Sequence, residues 1–208
     1  MNAFILAGGR STRMGRDKAL LPFRGRPLIE HAVAKLRALG FSPRVAGTRP
    51  DLGAYAAVIP DHYPGSGPLA GIEAALCASD SDLNLFLPID LPLLPAGFLR
   101  WLSARAHETS ALATIPCLQG RPQPLCAVYH RNLLPYAQAA LAAGDRKVTR
   151  VLEKAAVTTR SKLDRFDLET VAACVDFSAE LPIHRWLQNL NTPVDLQIAA
   201  LEESRYIQ

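Results

Sequence analysis

Two short runs limit the architecture more than anything else in the chain. Residues 2–7, NAFILA, and 83–90, LNLFLPID, are apolar nearly throughout, without a regular apolar/polar alternation. A strand with one wet face alternates; a strand covered on both faces does not, and such strands belong to parallel sheets layered between helices. The segments between them agree. Pro27 opens PLIEHAVAKLRALG, where Leu28, Ile29, Ala32, Val33, Leu36 and Leu39 form one stripe at helical spacing and Gly40 marks the end. Glu30, His31, Lys35 and Arg37 are expected to face solvent. A short strand near 43–47, another ending at AAVIPD and a helix from Pro68 continue the alternation. This order predicts an α/β fold with a mostly parallel sheet.

The second half is less regular, with LATIP and QPLCAVY as strands, helices near 131–143 and 147–156, and a last helix from Pro193. No repeat, low-complexity tract or long linker divides the 208 residues, so one domain over 1–208 is expected. No apolar run reaches the ~18 residues of a spanning helix. The first residues enter a strand rather than an export signal, so the expected location is the cytoplasm, with no membrane partner. Cys77, Cys117, Cys126 and Cys174 show no C-x-x-C spacing and read as reduced small hydrophobes. His31, His62, His107, His130 and His184 lie apart, and neither G-x-S-x-G nor H-E-x-x-H occurs, so zinc and hydrolase readings find no support.

Charge is distributed unevenly. Residues 1–40 hold eight Lys/Arg against Asp17 and Glu30, so within a net +4 the remainder is slightly acidic. The cations crowd AGGRSTRMGRDK, directly after the first strand. Aromatic residues are only 7% and absent from this cluster, which speaks against a nucleic-acid surface and for a compact anion. The loop matches neither G-x-x-x-x-G-K-[ST] nor G-x-G-x-x-G. Gly8 and Gly9 can still offer backbone N–H groups to phosphate, with Arg13 and Lys18 neutralising it; the alternative is a glycine turn with a solvated basic face. Asp90, ending the LNLFLPID strand, either holds a hard cation such as Mg²⁺ or caps a turn, and Asp61 carries the same ambiguity. Gly65 and Gly67 before Pro68 form a turn or let a ligand approach a helix N-terminus. A cationic glycine loop with an acidic site suggests phosphoryl or nucleotidyl transfer.

LAGGRSTRMGRDKALLPFRGRPLIEH resembles the signature L-A-[GA]-G-x-[SG]-x-R-M-G-x-x-K of bacterial nucleotidyltransferases. With VIPDHYPGSGPLAGIEAAL, FLPIDLPLL, GRPQPLCAVYH and NLNTPVDL in order, the likeness spans nearly the whole chain and is greatest to the molybdenum cofactor guanylyltransferases. The resemblance implies a Rossmann-like three-layer α/β/α fold with a mostly parallel mixed sheet, residues 1–95 binding nucleotide and 96–208 the acceptor. It implies transfer of GMP from GTP to molybdenum-molybdopterin, with Mg²⁺, and transient contacts with molybdenum cofactor biosynthesis proteins. Carried over by position, Leu6, Ala7, Gly8 and Gly9 hold guanine and phosphates, Arg13 and Lys18 the triphosphate, Asp61 the nucleoside region and Asp90 the metal. Gly120, Arg121, Gln123, Arg146, Asn189 and Asn191 fall to the acceptor. Thr48 stands where the family often has Asn, and Ile89 where C-D-x-P is common; both bear on base choice more than on reaction class. The competing readings are a cytidylyltransferase using CTP and a catalytically inactive nucleotide-binding or partner-docking protein of the same fold.

Overall fold

Strand β1 (Asn2–Leu6) lies inside an eight-stranded sheet, flanked in parallel by β4 (Arg44–Ala46) and β6 (Leu83–Pro88). Its composition follows from that position. Ala3 and Ile5 enter the core layer on one face, Phe4 and Leu6 the layer on the other, and the one polar residue, Asn2, stands half-buried at the strand's start. The structure is a computed structural model and describes residues 1–7, 17–177, 181–188, 190 and 195–196.

Beyond β4 the sheet ends in β5 (Val58–Ile59); beyond β6 it continues through β9 (Ala127–His130), β7 (Ala113–Leu118) and β10 (Leu163–Asp167), with β8 (Arg121–Pro122) paired to β7. Strand β9 runs antiparallel to both β6 and β7, while β4–β5 and β7–β10 pair in parallel. One face is covered by α1 (Leu28–Ala38) and α3 (Ala96–Thr109), the other by α2 (Pro68–Cys77), α4 (Leu134–Ala142) and α5 (Val148–Thr159). This is the three-layer, mostly parallel mixed arrangement expected. Under α2, the rings of Phe4, Phe86 and Tyr129 run across β1, β6 and β9 with successive centroids 5.4 Å apart. Among the described residues no helix is long and apolar enough to cross a membrane.

Several elements escape the sequence reading. Before α1, β2 (Pro22–Phe23) and β3 (Arg26–Pro27) form a hairpin whose two turn residues, Arg24 and Gly25, have φ of 49° and 76°. The strand assigned to QPLCAVY starts only at Ala127, because Cys126 N–H closes a turn onto Gln123 O (3.1 Å). Helix α3, β10 and α6 (Leu168–Cys174) were not anticipated. The expectation that His31 and Lys35 face solvent is corrected. His31 Nε2 donates to Phe23 O (2.6 Å), which fixes its tautomer, and burial lowers the imidazole's pKa. Lys35 Nζ donates to Pro92 O (2.8 Å) and Leu94 O, so α1 grips the loop that follows β6. Nor are all cysteines buried hydrophobes: Cys126 is buried and Cys117 half-buried, but Cys77 and Cys174 are exposed.

Candidate active site

Because β4 and β6 sit on opposite sides of β1, the chain leaves the strand ends in opposite directions and opens a crevice at their carboxyl edge, where ligands of open α/β sheets bind. A pocket occupies that place. Its described lining comprises Leu6, Ala46 and Pro88 from the strand ends, Lys18, Asp61, Ile89 and Asp90 from the loops beyond them, Gly67, Pro68 and Gly71 from the start of α2, and Leu125 from the second half.

Asp90 is held there by backbone geometry. Ile89 N–H bonds Leu6 O (3.2 Å), carrying the β1–β6 pairing one step past β6, and Asp90 follows at once. Its Oδ2 accepts a hydrogen bond from Lys18 Nζ at 2.5 Å, with side chains only 15% and 18% exposed. Lys18 begins a 3₁₀ turn, Lys18–Leu20, whose N-cap is Asp17: Oδ1 accepts from Ala19 N–H (3.0 Å). The other Asp17 oxygen pairs with Arg49, a guanidinium 3% exposed that also forks onto Asp51, Nε to Oδ1 at 3.0 Å and Nη2 to Oδ2 at 2.6 Å. The hydrogen bonds Arg49 donates to Asp51 raise the guanidinium's pKa further, against the opposing effect of burial. Arg49 therefore ties the loop after β4 to the turn that aims Lys18.

Asp61 approaches from beyond β5. Its N–H donates to Thr48 Oγ1 (3.2 Å), so the residue standing where Asn was expected supports the loop through its hydroxyl. Asp61 Oδ1 is buried and has no hydrogen-bond partner among the described residues. Burial pushes this carboxyl above its ordinary range, opposed by backbone hydrogen bonding at Thr48 and reinforced by the charge of Glu73. A buried acceptor without a donor is costly, and a ligand with N–H or O–H groups removes that cost. Gly71 of α2 packs against the strand ends, its Cα side facing Leu6 Cδ2 and Ala46.

Of the residues singled out from the sequence, Leu6, Lys18, Asp61 and Asp90 line one pocket together with Gly67 and Ile89, and Ala7 is buried beside Leu6. Gly8, Gly9, Arg13, Asn189 and Asn191 lie outside the described residues. The acceptor candidates are less concentrated. Gly120 and Arg121 sit on the exposed β7–β8 hairpin, Gln123 Nε2 donates to Arg121 O (3.2 Å), and none of these three is in the pocket lining. Arg146, between α4 and α5, reaches back to Gly65 O (3.3 Å) in the loop before α2. Arg49, Gly71 and Leu125 were missed: an ordinary Arg, a helical Gly and a lone Leu carry no signal until the fold joins them. His62, next to Asp61, has its Nδ1 2.9 Å from Glu73 Oε2.

A cation and a carboxylate opposed at the mouth of a partly apolar cleft, with a second carboxylate that has an acceptor oxygen unpartnered among the described residues, suit a nucleoside polyphosphate. Comparison with known proteins points the same way. The molybdenum cofactor guanylyltransferase of Xanthomonas euvesicatoria is 37% identical over 76% of this chain and 73% of its own. That of Vibrio atlanticus is 32% identical over 92% and 91%. The crystal structure of molybdopterin-guanine dinucleotide biosynthesis protein A from Archaeoglobus fulgidus, 26% identical, superposes with a TM-score of 0.79 over 99% of this chain and 100% of that one. The sequence profile of the MobA-like NTP transferase domain matches residues 3–160, and the chain belongs to that family of nucleotidyltransferases.

Proposed function

We propose that this protein transfers GMP from GTP to the terminal phosphate of molybdenum-molybdopterin, forming molybdopterin guanine dinucleotide cofactor and releasing pyrophosphate. The observation that carries the reading is the Lys18–Asp90 pair at the switch point of the sheet, beside Asp61 Oδ1, which is buried without a hydrogen-bond partner among the described residues. In this reading an oxygen of the acceptor's phosphate monoester attacks the α-phosphorus of GTP, a new P–O bond forms, and the bond to the β-phosphate breaks. The attacking group is already anionic, so no protein nucleophile is needed. Lys18 neutralises charge on the triphosphate and on the departing pyrophosphate, and Arg13, four residues after Gly9, is assigned to the same task. Gly8 and Gly9 supply backbone donors, and Leu6 and Ala7 place the start of that loop.

Mg²⁺ fits the donor set. Asp90 offers hard oxygen ligands, no thiol or imidazole lines the described pocket, and a Mg²⁺ ion of this kind normally shares one or two carboxylates with substrate phosphates. When bound, the ion supplies charge neutralisation at the phosphates. Asp61 offers a carboxylate to the nucleoside. Guanine, with N1–H and an amino group, presents adjacent donors that a carboxylate can bind in pairs, whereas cytosine has only its amino group, which favours GTP over CTP. Residues 1–95 then form the nucleotide half and 96–208 the acceptor half, with Gly120, Arg121, Gln123, Arg146, Asn189 and Asn191 assigned to molybdopterin. Contact between Arg146 and Gly65 supports that division, because it joins the second half to the loop beside the pocket.

The test is pyrophosphate release with GTP or CTP in the presence of Mg²⁺ and molybdenum-molybdopterin. Release with GTP is expected. A preference for CTP overturns the base assignment, and no release with either, from protein that binds GTP, favours the inactive reading.

A further inference from the structure

On the outer side of the pocket wall, three chemically different ligands converge. His62 follows Asp61 in the loop after β5; Glu73 and Cys77 lie one turn apart on α2 and so share a face. His62 Nδ1, a Glu73 carboxylate oxygen and Cys77 Sγ all lie within 4.8 Å of one another. Glu73 is the unusual member. It is 1% exposed, yet Oε1 accepts from the neutral Gln138 amide (2.9 Å) and Oε2 faces His62 Nδ1 (2.9 Å). Among the described residues no Lys or Arg is paired with it. A carboxylate taken this far out of water needs a positive charge beside it, and the side able to receive one is that facing His62 and Cys77.

We infer that His62, Glu73 and Cys77 form a Zn²⁺ site, separate from Asp90, whose carboxylate pairs with Lys18. Imidazole, carboxylate and thiolate are the donor types of tetrahedral zinc, whose bonds of about 2.0–2.3 Å require donors somewhat closer than the limit seen here. The exposed His62 and Cys77 side chains have room to close that gap around the fixed Glu73 oxygen. Gln138 supplies the outer hydrogen bond that holds a ligating carboxylate in one orientation. A thiolate and an imidazole select Zn²⁺ over Mg²⁺, and three protein ligands leave one position for water. Since His62 adjoins Asp61, and α2 carries Gly67, Pro68 and Gly71 into the pocket lining, the ion ties the Asp61 loop to the helix that floors the cleft.

Cobalt(II) substitution tests this on the full chain, stripped with chelator and kept reduced. Tetrahedral d–d intensity and a thiolate-to-cobalt charge-transfer band should saturate at one equivalent and be displaced by Zn²⁺. Cys77→Ser, at an exposed position, should fold normally, lose the charge-transfer band and bind Zn²⁺ more weakly by at least the ~10–100-fold typical of a lost supporting partner. His62→Ala should lose the tetrahedral intensity. Cobalt at Asp90 would give neither signature. A wild-type spectrum matching that of Cys77→Ser, or a charge-transfer band that survives Cys77→Ser and vanishes in Cys174→Ser, overturns the assignment and leaves His62 and Glu73 as a simple ion pair.

Discussion

Neutralising either member of the Lys18–Asp90 pair should destabilise the nucleotide-free protein, and neutralising both should return part of the loss. Breaking a fully buried pair by removing one partner costs ~3–5 kcal/mol, because the survivor is left desolvated; an exposed pair is worth ~0–1 kcal/mol. With side chains 18% and 15% exposed, Lys18 and Asp90 lie nearer the first case but retain some solvent. Discounted for that screening, Lys18→Met or Asp90→Asn should each cost about 2 kcal/mol, or ~4–8 °C in Tm for a chain of this size. The double variant should be more stable than the sum of the singles by ~1–2 kcal/mol.

The assay is thermal and urea unfolding of the wild type and the three variants without nucleotide or divalent ion. Additivity within ~0.5 kcal/mol would show that the two side chains do not interact, and would refute the geometry on which the site rests. Turnover is a separate readout. All three variants should lose pyrophosphate release, Lys18→Met by on the order of 10²–10³-fold, the loss seen when one donor to a developing anion is removed. Strong coupling with retained turnover would leave the pair standing as structure and remove it from the chemistry.

Three other outcomes are expected. Arg49→Met should cost ~2 kcal/mol, less than a fully buried pair because Asp17 and Asp51 are 27% and 41% exposed and can be rehydrated; at a temperature where it is folded, turnover should still fall, since Asp17 no longer fixes the turn carrying Lys18. Asp61→Asn should raise stability by ~1 kcal/mol at neutral pH, where the wild type keeps a carboxylate disfavoured by burial, while weakening GTP binding; a lower Tm would contradict the reading of its unfilled oxygen. His31 is a depressed histidine, so the unfolded chain takes up its proton first: the associated stability is complete above the unfolded value of about 6.5 and declines as pH falls below it. His31→Gln keeps a donor for Phe23 O without titrating, so its stability should depend less on pH below that point than the wild type's, as followed by urea midpoints.

What could be read in the sequence was what a strand or helix declares alone. NAFILA and LNLFLPID are apolar because both faces are covered, and the α1 stripe at Leu28, Ile29, Ala32, Val33 and Leu36 is buried as its spacing requires. Polar edge segments declare much less: β10, LDRFD, is strand because it pairs with β7, and its Asp164 is buried because Arg105 of α3 forks onto it at 2.7 and 2.8 Å. The candidate site divides along the same line. Lys18 and Asp90, 72 positions apart, were identifiable from signature motifs, and the fold joins them because β1 and β6 are neighbours. The Arg49–Asp17–Asp51 fork was invisible, since each partner alone is an ordinary surface charge. The two departures from the family pattern separate on the same physical ground. Ile89, where a Cys is common, is 7% exposed in the core layer that holds Leu87, Leu91 and Leu93, and its N–H bonds Leu6 O; its identity answers to packing, and the carboxylate beside it keeps its place. Thr48 instead bonds the backbone N–H of Asp61, so its substitution acts on the carboxylate assigned to the nucleoside. If base choice differs from the family's in this chain, Thr48 is the residue through which it should do so, and Thr48→Asn should shift the GTP-to-CTP ratio while Ile89→Cys leaves it unchanged.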